Sequence, residues 1–244
     1  MIKNELAREK NKKSITIIRN IMTIANPTPF IVSIEGNIGS GKSTLLRYFS
    51  EREDIKEKCK YVFLQEPVEE WSTICDNEGI TILEKFYGDQ KKYAFSFQIM
   101  AYISRLAILK KAVDENPGAI IVTERSLYTD RYVFAKMLYD TGKIEEVDYL
   151  IYMRWFDTFI KEYPISRYVY VKTDPTVCHD RVNKRLRNGE DSISVEYLTS
   201  CHNYHQQMML QQKKTSSVMQ INGNNEIEQV KDTWCNAIVT WLEK

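Results

Sequence analysis

The chain has no Cys-x-x-Cys pair; its five cysteines, Cys59, Cys75, Cys178, Cys201 and Cys235, are scattered. That scatter argues against a thioredoxin-like redox motif and reads as reduced thiols of an intracellular, most simply cytoplasmic, protein. Cys201 beside His202-x-x-His205 finds no partner at zinc spacing, so no structural zinc is expected. No apolar run approaches the roughly 18 residues that mark a membrane helix, and no secretory h-region is present. Charge of one sign is lacking too: 34 Lys and Arg face 33 Asp and Glu, a net +1. Such a balance gives no electrostatic reason to expect a nucleic-acid polymer as partner. There is no internal repeat and no low-complexity tract.

The balance is uneven along the chain. Lys3, Arg8, Lys10, Lys12, Lys13 and Arg19 crowd the first 26 residues against only Glu5 and Glu9, leaving the remainder close to neutral. Residues 1–26 read as a basic extension, mobile or loosely docked; its two glutamates argue against an organellar import sequence. Residues 27–244 are long enough for one α/β domain and short for two.

Glycine is scarce, nine in all, and three of them fall between Gly36 and Gly41. There the chain reads Gly36-Asn37-Ile38-Gly39-Ser40-Gly41-Lys42-Ser43-Thr44, after the apolar run Phe30–Ile34 and before the helical spacing of Leu45, Leu46 and Phe49. Strand, glycine loop and helix are the setting in which this spacing makes a P-loop. The glycines allow a tight curl whose N–H groups, with the helix N-terminus behind them, face an anion. Lys42 would reach the terminal phosphates and the Ser43 hydroxyl would hold Mg²⁺. The chain therefore binds a nucleoside triphosphate.

Further apolar runs at 61–66, 119–122, 168–171 and 217–221 alternate with helical patterns at 80–87, 90–114, 128–139, 144–162, 175–186, 195–213 and 226–242. Such alternation predicts a five-stranded parallel sheet with helices on both faces, of P-loop NTPase type. Ligands of such sheets sit beyond the carboxyl ends of the strands, where Ser33–Glu35, Glu66 and Glu124 fall. Glu66, before Pro67, is placed to take a proton from an attacking hydroxyl, or simply to cap the following turn. Glu124 and Arg125 are placed for Mg²⁺ and for transferred phosphoryl charge. Arg181 and Arg185, four apart, share a helix face that suits a closing lid, or a solvated one. Gln98, Ala101 and Arg105 also share a face; Gln98 is either an amide reading a base edge or a satisfied core amide. Leu83, Phe86 and Tyr87 form a stripe whose default reading is core.

In order and spacing these motifs resemble the cellular-type deoxynucleoside kinases, on the deoxycytidine and deoxyguanosine kinase branch. The resemblance runs from about Phe30 to the C-terminus. It is carried by Ile34-Glu35-Gly36-Asn37-Ile38, Glu66-Pro67-Val68 with Trp71, Phe95-Ser96-Phe97-Gln98, Ser104-Arg105-Leu106, Glu124-Arg125-Ser126-x-Tyr128-x-Asp130-Arg131-Tyr132, Arg187-Asn188-x-Glu190 and Val195-Glu196-Tyr197-Leu198. It implies phosphorylation of a deoxynucleoside 5′-hydroxyl by ATP or another triphosphate with Mg²⁺, in nucleotide salvage, by a homodimer joined through 90–114 and 144–162. The dimer face would draw on Tyr102, Ile103, Leu106, Tyr149, Tyr152, Trp155, Phe156 and Phe159. It also implies roles. Glu66 is the base, Arg125 holds the 5′ end and developing charge, Gln98 pairs the nucleobase, and Tyr87 and Glu190 bind the 3′-hydroxyl. Arg181 and Arg185 are lid arginines, and Ser43 and Glu124 the Mg²⁺ partners. Ile38, Val68, Trp71, Leu83, Phe86, Phe97, Ala101, Arg105, Asp130 and Phe134 complete the nucleoside pocket, and the residues from Gly36 to Thr44 hold the donor. An arginine and an aspartate beside the base, here Arg105 and Asp130, accompany deoxycytidine and purine use over thymidine. Gly189 departs from the pattern, standing where deoxycytidine kinases have a second acidic residue.

Two other readings compete. A switch GTPase or motor ATPase would carry an Asn-Lys-x-Asp or Asp-x-x-Gly motif, and neither occurs in place; Asn183-Lys184 runs on into Arg185-Leu186. A catalytically silent binding module would not need Lys42, Ser43, Glu66, Glu124 and Arg125 together.

Overall fold

Neighbouring residues of each central strand face opposite sides of the sheet, and both sides are apolar. Ile31, Ile121, Tyr168 and Tyr170 belong to one core, while Val32, Ile34, Val122, Val169 and Val171 belong to the other. Such a strand must be covered on both faces, the condition met by parallel sheets with crossover helices. The computed structural model describes residues 28–58, 61–185, 189–190 and 193–243. The basic extension 1–26, Cys59, and Arg187 and Asn188 of the expected lid joint lie outside those residues.

Five strands, β1 (Phe30–Glu35), β2 (Tyr61–Leu64), β3 (Ile120–Glu124), β4 (Arg167–Lys172) and β5 (Ser217–Asn222), pair in parallel in the order β2-β3-β1-β4-β5. The helices are α1 (Lys42–Glu51), α2 (Glu53–Lys58), α3 (Val68–Ser72), α4 (Ile82–Gly88), α5 (Gln90–Glu115), α6 (Leu127–Thr129), α7 (Lys136–Asp140), α8 (Glu146–Phe159), α9 (Pro175–Arg185), α10 (Val195–Gln212) and α11 (Ile227–Leu242). Helices α5, α8 and α10 cover one face; α1 and α11 cover the other. Ile34 pairs with Glu124 at the carboxyl edge, so the loops after β1 and β3 open side by side. Among the described residues no helix is long and apolar enough to cross a membrane.

The five strands and the long helices fall where the sequence places them. Strand β2 is shorter than expected: it stops at Leu64, and Val68 N–H donates to the Glu66 carbonyl at 2.8 Å in a turn around Pro67. Glu66 thus leaves the ladder and enters the space above it. The short helices α2 and α3 are not foreseen. The helix expected over 128–139 is also not regular. A π-helical segment, Asp130–Ala135, separates α6 from α7, a departure common beside functional sites. Of the residues expected on a dimer face, Tyr102, Leu106, Tyr152 and Phe156 are buried inside this chain, in the core beneath α5 and α8. Aromatic richness alone cannot tell which face of a helix turns inward.

Phe49, fully buried under α1, meets the ring of Phe63 edge-on at 5.4 Å and that of Tyr61 at 5.8 Å. Phe49→Ala should cost about 3–5 kcal/mol, a transfer loss plus a cavity beneath the P-loop helix. Urea unfolding should show it as a lowered midpoint at unchanged m; a loss below about 1 kcal/mol would place the packing centre elsewhere.

Candidate active site

The loop between β1 and α1 is built on three glycines at positive φ, Gly36 (φ 149°), Gly39 (φ 77°) and Gly41 (φ 96°). A Cβ on Gly39 would lie 2.5 Å from the Cys178 carbonyl oxygen, and one on Gly36 would lie 2.6 Å from that of Val171. Only glycine permits this close approach to α9 and β4. Asn37 fixes the curl from below: its amide donates to the Leu198 carbonyl at 2.8 Å, while its side-chain oxygen accepts from Ile38 N–H. Helix α1 has no side-chain cap at its N-terminus, unlike α4, α5 and α10, which are capped by Thr81, Asp89 and Ser194. Its first amide groups are left for an anion. Lys42 is buried and donates to the Asn37 carbonyl at 2.7 Å. Burial, helped by Arg125, pulls its ammonium pKa down to about 8 against Glu124 and Glu66. Ser43 donates to Glu124 Oε1 at 2.6 Å, joining the loop to the end of β3.

Facing this loop across a cavity of about 670 Å³ stands Glu66. Arg105 donates to its Oε1 at 2.8 Å, and Arg125 Nε lies 3.3 Å from the same atom. Burial opposes ionisation of Glu66, but Arg125, Arg105 and Lys42 outweigh it and hold the carboxyl at about 2 instead of 4.5. Arg125 has a left-handed backbone (φ 62°), the single such non-glycine residue among those described. Its N–H donates to the Ile34 carbonyl, its carbonyl accepts from Thr123 Oγ1, and its guanidinium reaches the Gly36 carbonyl and covers the Phe134 ring at 4.9 Å. Arg105 is 4% exposed and uses three nitrogens: Nε to Asp130 at 2.9 Å, one terminal nitrogen to the Glu124 carbonyl at 2.8 Å, the other to Glu66.

Part of the cavity wall is aromatic. Phe86 stacks on Phe97 at 4.5 Å, Trp71 stands edge-on to Phe97, and Trp71 Nε1 donates to Ser104 Oγ. Gln98 lines the cavity from α5; it is 2% exposed, and its side-chain oxygen has no hydrogen-bond partner. An orphaned amide oxygen in a buried wall is costly unless a ligand satisfies it. Tyr87 meets Tyr197 edge-on at 6.4 Å. Glu190, 4% exposed, accepts from Arg185 Nε at 3.1 Å. Arg181 is tied to the Gly223 and Asn225 carbonyls at 2.8 and 3.0 Å, beyond β5.

Nearly all the expected site residues meet in this one cavity. Ile38, Val68, Trp71, Leu83, Phe86, Tyr87, Phe97, Gln98, Ala101, Arg105, Asp130, Phe134 and Glu190 line it, with Lys42, Ser43, Thr44, Glu66, Glu124, Arg125, Arg181 and Arg185. Gly36, Asn37 and Ser40 are buried behind the loop and shape it without lining it. The stripe Leu83, Phe86 and Tyr87, read first as core, serves as cavity wall as well. Tyr197 also lines the cavity; it stands in Val195-Glu196-Tyr197-Leu198, where nothing in its spacing marks it. Glu35, at the end of β1, accepts hydroxyl bonds from Ser33, Ser126 and Thr129 and is fully buried. The sequence placed it near the site without a partner.

Comparison with known proteins gives the family. The model of the deoxynucleoside kinase family matches residues 32–243. A probable deoxycytidine kinase of fowlpox virus (strain NVSL) is 33% identical over 201 residues, covering 80% of this chain and 79% of its own. The mitochondrial deoxyguanosine kinase of Xenopus laevis is 30% identical, covering 77% and 75%. The mitochondrial thymidine kinase 2 of Homo sapiens is 32% identical, covering 74% and 64%. The chain belongs to the deoxynucleoside kinase family. It is a kinase of nucleosides with a nucleotide phosphoryl donor.

The ion cluster at Glu66 has a consequence for stability. A carboxyl held below its unfolded-chain value stabilises the fold above that value, and the contribution is lost as pH falls through the folded one. The stability gap between wild type and Glu66→Gln should therefore be full above about pH 5 and shrink as pH falls toward about 2. Urea titrations at intervals between neutrality and pH 3 read it. A gap that stays constant over that range would mean that the two arginines do not hold the carboxylate.

Proposed function

We propose that this chain transfers the γ-phosphoryl group of ATP to the 5′-hydroxyl of 2′-deoxynucleosides in intracellular nucleotide salvage, preferring deoxycytidine or purine deoxynucleosides to thymidine. The observation that supports the preference is the buried Arg105–Asp130 pair, 2.9 Å apart, on the wall that also carries Gln98. Buried charged atoms there leave no apolar slot for the 5-methyl group of thymine, and sites built from such pairs discriminate strongly. A thymidine-accepting or broad-specificity kinase is the second reading, favoured by the thymidine kinase 2 relative.

In this reading the Gln98 amide pairs with the base edge between the Phe86–Phe97 stack and Trp71. Val68, Leu83, Ala101, Ile38 and Phe134 close the apolar walls. Tyr87 and Glu190 take the 3′-hydroxyl, which leaves the 5′-hydroxyl toward Glu66. Glu66 is ionised throughout the physiological range and so is always ready to accept a proton. Its weak basicity is tolerable because phosphoryl transfer passes through a loose transition state in which positioning matters most. Arg125 meets the developing charge, and Arg181 and Arg185 clamp the transferred group from α9. Ser43 and Glu124 present an oxygen-only pair, one hydroxyl and one carboxylate, at the uncapped end of α1. That donor set fits Mg²⁺, which takes few protein ligands and keeps water and phosphate oxygens; Ser43 and Glu124 would hold it. Bound there, the ion would neutralise phosphate charge.

Coupled ADP release should respond to deoxycytidine or a purine deoxynucleoside, weakly to thymidine, and not to the no-nucleoside control. Glu66→Gln should lower kcat by roughly 10²–10⁴ with a smaller change in nucleoside binding. Efficient thymidine turnover would overturn the preference; ADP release without nucleoside, or none at all, would overturn the kinase assignment to this chain's own site.

The assembly we propose is a homodimer. Val147, Leu150, Ile151 and Trp155, at i, i+3, i+4 and i+8 of α8, are all exposed, as is Ile103 on α5. An apolar stripe of this spacing on an outer helix needs a partner, and the packing of α5 against α8 supports a second copy using both. Light scattering at micromolar concentration should give twice the chain mass, and Leu150→Glu with Trp155→Glu should halve it; a wild-type monomer would refute the dimer.

A further inference from the structure

Arg105 enters the proposed function as half of a base-discriminating pair, yet only one of its three hydrogen bonds goes to Asp130. We propose that Arg105 is also the positioning residue of Glu66, so that the fit of the nucleobase is coupled to the placement of the proton acceptor. The inference rests on the kinase reading above and deepens it.

The geometry is that of a three-way strut. One planar guanidinium, 4% exposed, spans Asp130 in the π-helical segment, the backbone carbonyl of Glu124 at the end of β3, and Glu66 beyond β2. Arg125 Nε lies 3.3 Å from Glu66 but makes no hydrogen bond there. Arg105 thus supplies direction to the carboxylate, while Arg125 supplies charge. The strut stands on the same face of α5 as Gln98 and Ala101, seven and four residues earlier. A base that fits badly against Gln98 and Ala101 presses on the helix face that aims Glu66. Because the guanidinium is rigid, Asp130 is buried and Glu66 is held by Arg105, displacement at Asp130 is passed on to the Glu66 carboxylate. Discrimination among bases should then appear in kcat as well as in KM, since misplacing a reacting group is expensive.

A mutant cycle tests the coupling. Arg105→Lys keeps the charge between the two carboxylates and so protects the fold, but an ammonium cannot span three acceptors in a plane. With the best deoxynucleoside, Arg105→Lys should lower kcat tenfold or more while KM changes less than threefold. In a Glu66→Gln background the same change should cost less than threefold further, because the group being positioned is gone. Circular dichroism and a thermal midpoint check each variant; if Arg105→Lys does not fold, Asp130→Asn, which frees one end of the strut, should show the same kcat loss and the same non-additivity. Raised KM at unchanged kcat, or losses that multiply across the two positions, would overturn the inference and make Arg105 a base reader only. A wild-type chain that phosphorylates no deoxynucleoside would instead overturn the kinase reading and this one with it.

Discussion

The site depends on one buried carboxylate that meets no cation among the described residues. Glu35 closes β1, is fully buried, and accepts hydroxyl bonds from Ser33, Ser126 and Thr129. A charge in a dry interior is tolerable only when its lone pairs are met, and three hydroxyls meet them here. The consequence is positional. The residue after Glu35 opens the P-loop, and the residue before Ser126 is Arg125. Asp130 follows Thr129. One carboxylate therefore locks the P-loop, Arg125 and Asp130 into one register, across two strands that run side by side. Removing it would strand three buried hydroxyls and release both loops at once.

Arg125 shows what that lock has to hold. Its left-handed backbone costs an ordinary residue about 1–2 kcal/mol, and strain of this kind persists only where the surroundings over-determine it. Here the backbone N–H is fixed to Ile34, the carbonyl to Thr123, and the side chain to Gly36 and the Phe134 ring. A relaxed backbone would aim the guanidinium away from both Glu66 and the P-loop. The strain is thus the means by which a strand end delivers its side chain into the cavity.

What could be read from the chain beforehand follows the range of the interactions involved. The P-loop is local, and its glycine spacing, flanking strand and helix announced it outright. Gln98, Ala101 and Arg105 were legible as one helix face because helical periodicity is local too. The three bonds of Arg105 were not legible: Glu66 is 39 residues away and Asp130 is 25, and no period links them. Strand β2 was read two residues too long, since Gln65 and Glu66 continue its pattern and only the turn at Pro67 pulls them out. The π-helical segment at Asp130–Ala135 has no sequence period to betray it. On α5 and α8 the aromatic count exceeded one face, but which residues turned inward depended on the neighbouring helix: Tyr102 and Tyr152 pack together in the core while Trp155 is exposed. The cage around Glu35 needed the β1–β3 pairing before it could exist.

The hydrogen bonds of the cavity's cations divide them into two sets. One set of positive groups is held by carboxylates: Arg105 by Asp130 and Glu66, Arg185 by Glu190. In the other set the bonds go to neutral carbonyls, Lys42 to Asn37 and Arg181 to Gly223 and Asn225. A carbonyl satisfies a cation's hydrogen-bonding needs while leaving its charge uncancelled, so in the proposed function an arriving phosphate would gain charge-assisted bonds without first breaking an ion pair. Breaking a buried ion pair would cost far more. Arg125 stands between the sets, with Glu66 on one side and the Gly36 carbonyl on the other. In the proposed function, the distribution that keeps the carboxylate-paired wall rigid leaves the carbonyl-bonded cations exchangeable, and the two requirements meet at Arg125, the residue held in the strained conformation.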